Sequence, residues 1–120
     1  MKSGWIEHKN KKIFFAQFCE FDRDEDAVIA EINFSKKSVY NFPEKSALLL
    51  VDVHGTAGTI RVVECLKDTA LSVKKIFKKT AVIGVDGFKK VLLRGIVRFS
   101  GMEINSFEDI EAAKEWLIQD

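Results

Sequence analysis

Apolar and polar positions along this chain follow two rhythms, one of strands and one of helices. Residues 46–53, SALLLVDV, hold a continuous apolar run, Ala47–Val51, bounded by polar residues, as expected of a strand covered on both faces in a parallel sheet. In residues 59–78, Val62, Val63, Leu66, Ala70, Val73 and Phe77 recur at spacings of three and four, which predicts a long helix with one apolar stripe. Between them lies a glycine-punctuated turn, His54-Gly55-Thr56-Ala57-Gly58-Thr59. Residues 80–85, TAVIGV, read as a second buried strand, with Asp86 placed to cap a helix over 87–100. The core face of that helix reads as Phe88, Val91, Leu92, Gly95, Ile96 and Phe99, and Lys90, Arg94 and Arg98 form a basic stripe. Gly101 suits a left-handed helix stop. Residues 102–105 then read as a short peripheral strand. Ser106 with Asp109 makes a capping-box pattern opening a final helix that packs through Ile110, Ala113 and Leu117, with Trp116 alongside.

Upstream, residues 4–9 and 12–18 read as two strands around a polar tip, Lys9-Asn10-Lys11-Lys12, where Asn10 tolerates a left-handed turn. Residues 24–41 are read as a helix. Asp24, Glu25 and Asp26 suit the positive end of its dipole, and Lys36, Lys37 and Pro43 mark its end, although Val28, Ala30, Ile32 and Phe34 also alternate as in a strand. The expected order is therefore β-β-α-β-α-β-α-β-α. That order implies an α/β fold: a mixed sheet with an N-terminal hairpin, parallel β-α-β units joined by right-handed crossovers, and helices packed against it. With one proline and no linker or repeat, a single domain over 1–120 is expected.

Ten Phe against one Tyr indicate an aromatic core that needs few polar partners. The formal net charge of +1 gives no overall field for nucleic acid. The charge is segregated, however: residues 61–100 carry ten Lys or Arg and three acids, whereas residues 101–120 carry one Lys and six acids. Cys19 and Cys65, the two cysteines of a chain able to fill a core, suggest reduced thiols in a cytoplasmic setting. The first residues, MKSGWIEHKNKK, lack the apolar segment of a signal peptide, and the longest apolar run, 47–51, is too short to span a membrane.

Three segments, GWIEHKNKKIFF at 4–15, KSALLLVDVHGT at 45–56 and KKTAVIGVDGFKKVLLRGIVRFSG at 78–101, together with the element order, resemble the STAS domains of anti-anti-sigma factors. They are most similar to the bacterial STAS-like branch grouped with CRAL-TRIO lipid-binding domains. The resemblance implies a non-enzymatic regulatory or binding domain. STAS switches carry an Asp-Ser-Ser-Gly phosphoacceptor motif at the start of the helix after the central strand. If Asp52 and Gly55 match the family's strand-end Asp and Gly, that motif falls on Ile60, Arg61, Val62 and Val63, where no hydroxyl stands. Thr56 and Thr59 are the nearest candidate phosphoacceptors.

The two turns that follow the buried strands should open on one edge of the sheet, where ligand crevices form in open α/β folds. This makes His54, Thr56, Thr59, Asp86 and Phe88 the candidate binding residues for a protein partner or a small ligand. Thr59 also reads simply as a helix N-cap, and Asp52 as a carboxylate holding turn amides. No nucleotide-binding loop, catalytic triad, CxxC pair or metal-ligand spacing is present, so no cofactor or metal is expected. An enzyme using His54 or Asp52 is a lesser possibility. The alternative function is a carrier of a small apolar ligand such as a fatty acid or lipid, held beside the helix at 87–100 with its rim of Lys89, Lys90, Arg94 and Arg98. Oligomeric state is not legible.

Overall fold

The computed structural model describes residues 1–119. Strands β1 (Gly4–His8) and β2 (Lys11–Gln17) form an antiparallel hairpin. Lys9 and Asn10 both take positive φ, 48° and 70°, the geometry a tight two-residue hairpin requires. The chain then alternates through α1 (Glu25–Val39), β3 (Ala47–Asp52), α2 (Ile60–Val73), β4 (Phe77–Ile83), α3 (Lys89–Ser100), β5 (Asn105–Phe107) and α4 (Ile110–Ile118). The expected element order and the mixed sheet are both found.

The sheet has five strands in the order β1-β2-β3-β4-β5, and β2 to β5 run parallel. Successive residues of a strand face opposite sides, so the sheet divides the core in two. Phe14, Ala16, Ala47 and Phe77 join Val28 and Ile32 of α1, Val62 and Val73 of α2, and Ile96 of α3 in one cluster. Ile13, Leu50, Ala81 and Ile83 meet Ala113 and Leu117 of α4 in the other. Helices α1, α2 and α3 therefore lie side by side on one face, and α4 covers the opposite one. On that second face the Lys79 ammonium lies 4.8 Å from the Trp116 ring centroid. It donates to the carbonyls of Trp116 and Gln119 at 3.0 and 2.7 Å, holding the end of α4 where its dipole is negative.

Several expected boundaries move. The apolar stripe continues through Phe77, but α2 stops at Val73 and β4 begins at Phe77. Pairing with β3 outweighs helical spacing there: Phe77 stands opposite Ala47, and the Ile76 carbonyl accepts from the Ser46 N–H at 3.1 Å. Asp86 does not cap α3 with its side chain. Phe88 occupies the N-cap position with no side-chain hydrogen bond, and the Asp86 backbone carbonyl accepts from the Lys89 N–H at 3.0 Å. The fifth strand lies at 105–107 rather than 102–105, because Met102 turns into the core. Ser106 thus falls inside the strand, and Asp109 becomes the cap of α4, accepting from Ala112 N–H at 3.1 Å. Gly101 does stop α3 in the left-handed region, at φ 75°.

Candidate functional site

The parallel strands end together at one edge of the sheet, and the segments leaving β2, β3 and β4 are laced to one another there. Phe18 N–H donates to Asp52 O at 2.9 Å, Glu20 N–H to His54 O at 2.7 Å, and Asp22 N–H to Gly55 O at 2.7 Å. In return, Ala57 N–H donates to Asp22 O at 2.7 Å. The turn after β3 is thus tied to the segment entering α1. From the other side, Lys89 of α3 reaches over and donates its ammonium to Val53 O at 2.6 Å.

Asp52 and His54 form a pair inside this frame. One Asp52 carboxylate oxygen accepts from the His54 backbone N–H at 2.9 Å and lies 2.7 Å from the ring Nδ1. The His54 side chain remains 52% exposed, whereas that of Asp52 is 17% exposed. Gly84, at the end of β4, makes room for the ring. Its φ is +86°, and a Cβ there would sit 2.6 Å from His54 N and 2.8 Å from His54 Cγ. The sequence suggested Asp52 as a holder of turn amides, and it has that role; its hold on the imidazole had no signal in the chain beyond the i, i+2 spacing.

The expected site residues separate into two sets. His54, Asp86 and Phe88 are exposed at the sheet edge. Thr56, only 7% exposed, points inward, and its hydroxyl oxygen accepts from Phe21 N–H at 3.1 Å. The Thr59 hydroxyl accepts from Val62 N–H at 3.3 Å and caps α2. Both hydroxyls are therefore engaged in holding the turn. Helix α3 differs more from expectation. Of its expected core face, Ile96 is buried and Leu92 half-buried, but Phe88 (71% exposed), Val91 and Phe99 face solvent. They stand beside the exposed cations Lys90, Arg94 and Arg98, with no acidic residue from 87 to 100. Periodicity identified the apolar positions of α3 but could not say which of them lack a partner.

Cys19, which leaves β2 beside Asp52, was not singled out as a site residue. Burial, followed by the neighbouring Asp52 charge, pushes its thiol above the ordinary cysteine value, against the opposing effect of Lys2. Burial raises the Cys65 thiol as well. A raised thiol is a weak nucleophile at neutral pH. Among the described residues, no three His, Cys, Asp or Glu side chains are grouped as metal ligands, and no helix is long and apolar enough to cross a membrane.

Neither the family models nor the curated proteins contain a match to this sequence. A solved structure does match: an uncharacterised protein of the DUF3478 family from Shewanella loihica PV-4, described as having a SpoIIAA-like fold. It superposes with a TM-score of 0.67 at 16% identity, over 96% of this chain and 91% of that one. The fold here is SpoIIAA-like. This agrees with the STAS resemblance seen in the sequence, since the SpoIIAA-like fold is the STAS-like one. At 16% identity the likeness concerns architecture, so any role of the SpoIIAA-like frame in this chain must be argued from its own residues.

Proposed function

We propose that the chain is a non-enzymatic regulatory domain, one 120-residue unit of a cytoplasmic protein system, that recognises a protein partner at the edge where β3 and β4 end. One observation carries this reading: an exposed aromatic, Phe88, opens a helix whose outward charges are all positive, beside a turn braced from two sides. An aromatic anchor surrounded by charge is the common composition of interaction hot spots, and a braced turn loses little freedom on binding. The matching partner presents an apolar pocket ringed by Asp and Glu. Recognition here uses His54, Asp86 and Phe88 directly, while Thr56 and Thr59 hold the turn.

A reaction at this edge has weaker support. The Asp52–His54 pair has the form of an oriented base, yet the hydroxyl of Thr56 in the same turn is buried in a hydrogen bond, and the Cys19 thiol is raised. For the same reason a phosphorylation switch at Thr56 or Thr59 would first have to break the turn that it modifies.

The test is affinity capture with the wild type and with Phe88→Ser, followed by titration of the purified partner by calorimetry. The expected result is saturable binding weakened about tenfold or more by the substitution, equivalent to roughly 1.4 kcal/mol. A partner that binds both proteins equally, or the lack of any saturating partner, would overturn the reading.

A further inference from the structure

Between the sheet and helices α1 to α3 lies a cavity of about 150 Å³. Its walls are almost wholly apolar and include Ile32 of α1, Val62 and Leu66 of α2, and Leu92 and Ile96 of α3. Of the polar residues along it, Thr56 and Lys89 have their polar atoms engaged, with Phe21 N–H and Val53 O respectively. Ser35 of α1 does not. It is 6% exposed and lines the cavity, and its hydroxyl oxygen is buried with no hydrogen-bond partner. Buried hydroxyls are nearly always paired, so an orphan on the wall of a void marks a place where a bound group completes the structure. Lys36 follows directly and lines the same cavity, and Thr69 of α2 lines it as well. Ser35, Lys36 and Thr69 thus place polar groups on the α1–α2 side of the cavity and Thr80 of β4 adds one from the sheet, while the remainder of the wall is suited to hydrocarbon.

We propose that this cavity is a binding site for one small amphiphile, with an apolar body of about six carbons and a single oxygen-bearing head bonded to Ser35. The size follows from the volume: apolar protein cavities near 150 Å³ stay dry and admit a molecule the size of benzene. The head follows from the unpaired hydroxyl. A neutral alcohol and a short acyl carboxylate share this chemistry, and Lys36 is placed to favour the second. The site is separate from the partner surface at the sheet edge but touches its support. A Cβ on Gly58, in the turn before α2, would meet Leu92 Cδ1 at 2.3 Å, so Leu92 of the cavity wall packs directly on the turn's own backbone. The proposal does not depend on the partner reading and fails or survives separately from it.

The test follows the methyl resonances of Ile32, Leu66, Leu92 and Ile96 by NMR during titration with 1-hexanol and, separately, hexanoate at neutral pH. The expected result is saturable shifts confined to these methyls, with a Kd of about 1 mM or tighter, within reach of a ligand this small. Tighter binding of hexanoate assigns acyl carboxylates held with Lys36; tighter binding of 1-hexanol assigns neutral alcohols. Ala70→Leu, which places extra bulk on the cavity wall, should weaken binding more than tenfold. Ser35→Ala, which leaves the volume intact and serves if the first variant does not fold, should weaken it about fivefold, the worth of one ordinary hydrogen bond, while benzene binding is retained. No saturable shifts with either compound, equal binding to folded Ala70→Leu, or unaltered affinity in Ser35→Ala would overturn the proposal.

Discussion

Replacing Glu31 with glutamine should lower thermal stability near neutral pH and have progressively less effect in acid. Glu31 lies in the middle of α1, is only 2% exposed, and holds the start of the chain: its carboxylate accepts from Ser3 N–H at 2.8 Å and from Lys2 N–H at 3.4 Å. The Ser3 hydroxyl links this carboxylate to β2 by accepting from Gln17 N–H at 2.9 Å. Burial alone would raise the Glu31 pKa, but the hydrogen bonds from Ser3 and Lys2 outweigh it and hold the group below the ordinary glutamate value of about 4.5. Hydrogen bonds to a buried charge contribute roughly 1.5–3 kcal/mol, and glutamine keeps one acceptor, so a loss of about 2 kcal/mol is expected. Unfolding entropy near 2.1 cal/mol/K per residue turns this, in a 120-residue chain, into a fall of about 8 °C in Tm. Because the folded pKa is depressed, the stabilisation is fully present above the unfolded value and is lost as pH falls through the folded one. Calorimetric melts of both proteins from about pH 7 to about pH 2.5 should show the gap closing in acid. A gap of constant size across that range would show that the charge contributes nothing and that shape alone accounts for the effect.

Gly84→Ala should cost about 2–3 kcal/mol, since φ +86° strains any side-chain-bearing residue and the new Cβ would meet His54 N at 2.6 Å. Urea denaturation would measure the loss, His54 ring nitrogen shifts would report release of the Asp52 pairing, and unchanged values of both would refute the close approach. On the opposite face, Ala113→Leu should destabilise by about 1–3 kcal/mol, because Ala113 is fully buried between α4 and the sheet with no room for added carbons. A denaturation midpoint equal to that of the wild type would show that α4 sits more loosely than described.

Much of the fold was legible because its strongest signals are local. The Ala47–Val51 run named β3 as central, and β3 does lie between β2 and β4. Lys36, Lys37 and Pro43 decided for a helix over the competing strand pattern in α1, and Val28, Ile32 and Val39 are all buried in that helix. The errors arose where two periods fit the same residues. Phe77 satisfies both the stripe of α2 and the inward face of β4, and only the long-range pairing with Ala47 decides between them. Ser106 with Asp109 read as a capping box, but Ser106 pairs with Val82 in β5, and Asp109 itself caps α4.

The candidate site was less legible, for a reason that the sheet itself supplies. Helices α1, α2 and α3 share one face, and the third comes last, where only the three-residue β5 extends the platform beyond β4. A helix at such a margin finds less sheet to cover. Its apolar stripe is then wider than the surface that receives it, leaving Phe88, Val91 and Phe99 exposed, although their spacing is that of core residues. Spacing records how many apolar positions a helix carries; only the width of the neighbouring layer determines how many of them are covered. The same narrowness accounts for the cavity below: α3 contributes Leu92, Leu93 and Ile96 to its wall, but of its helical residues only Ile96 and Ser100 are buried. Exposed aromatic flank and apolar void are thus two results of one geometric shortfall.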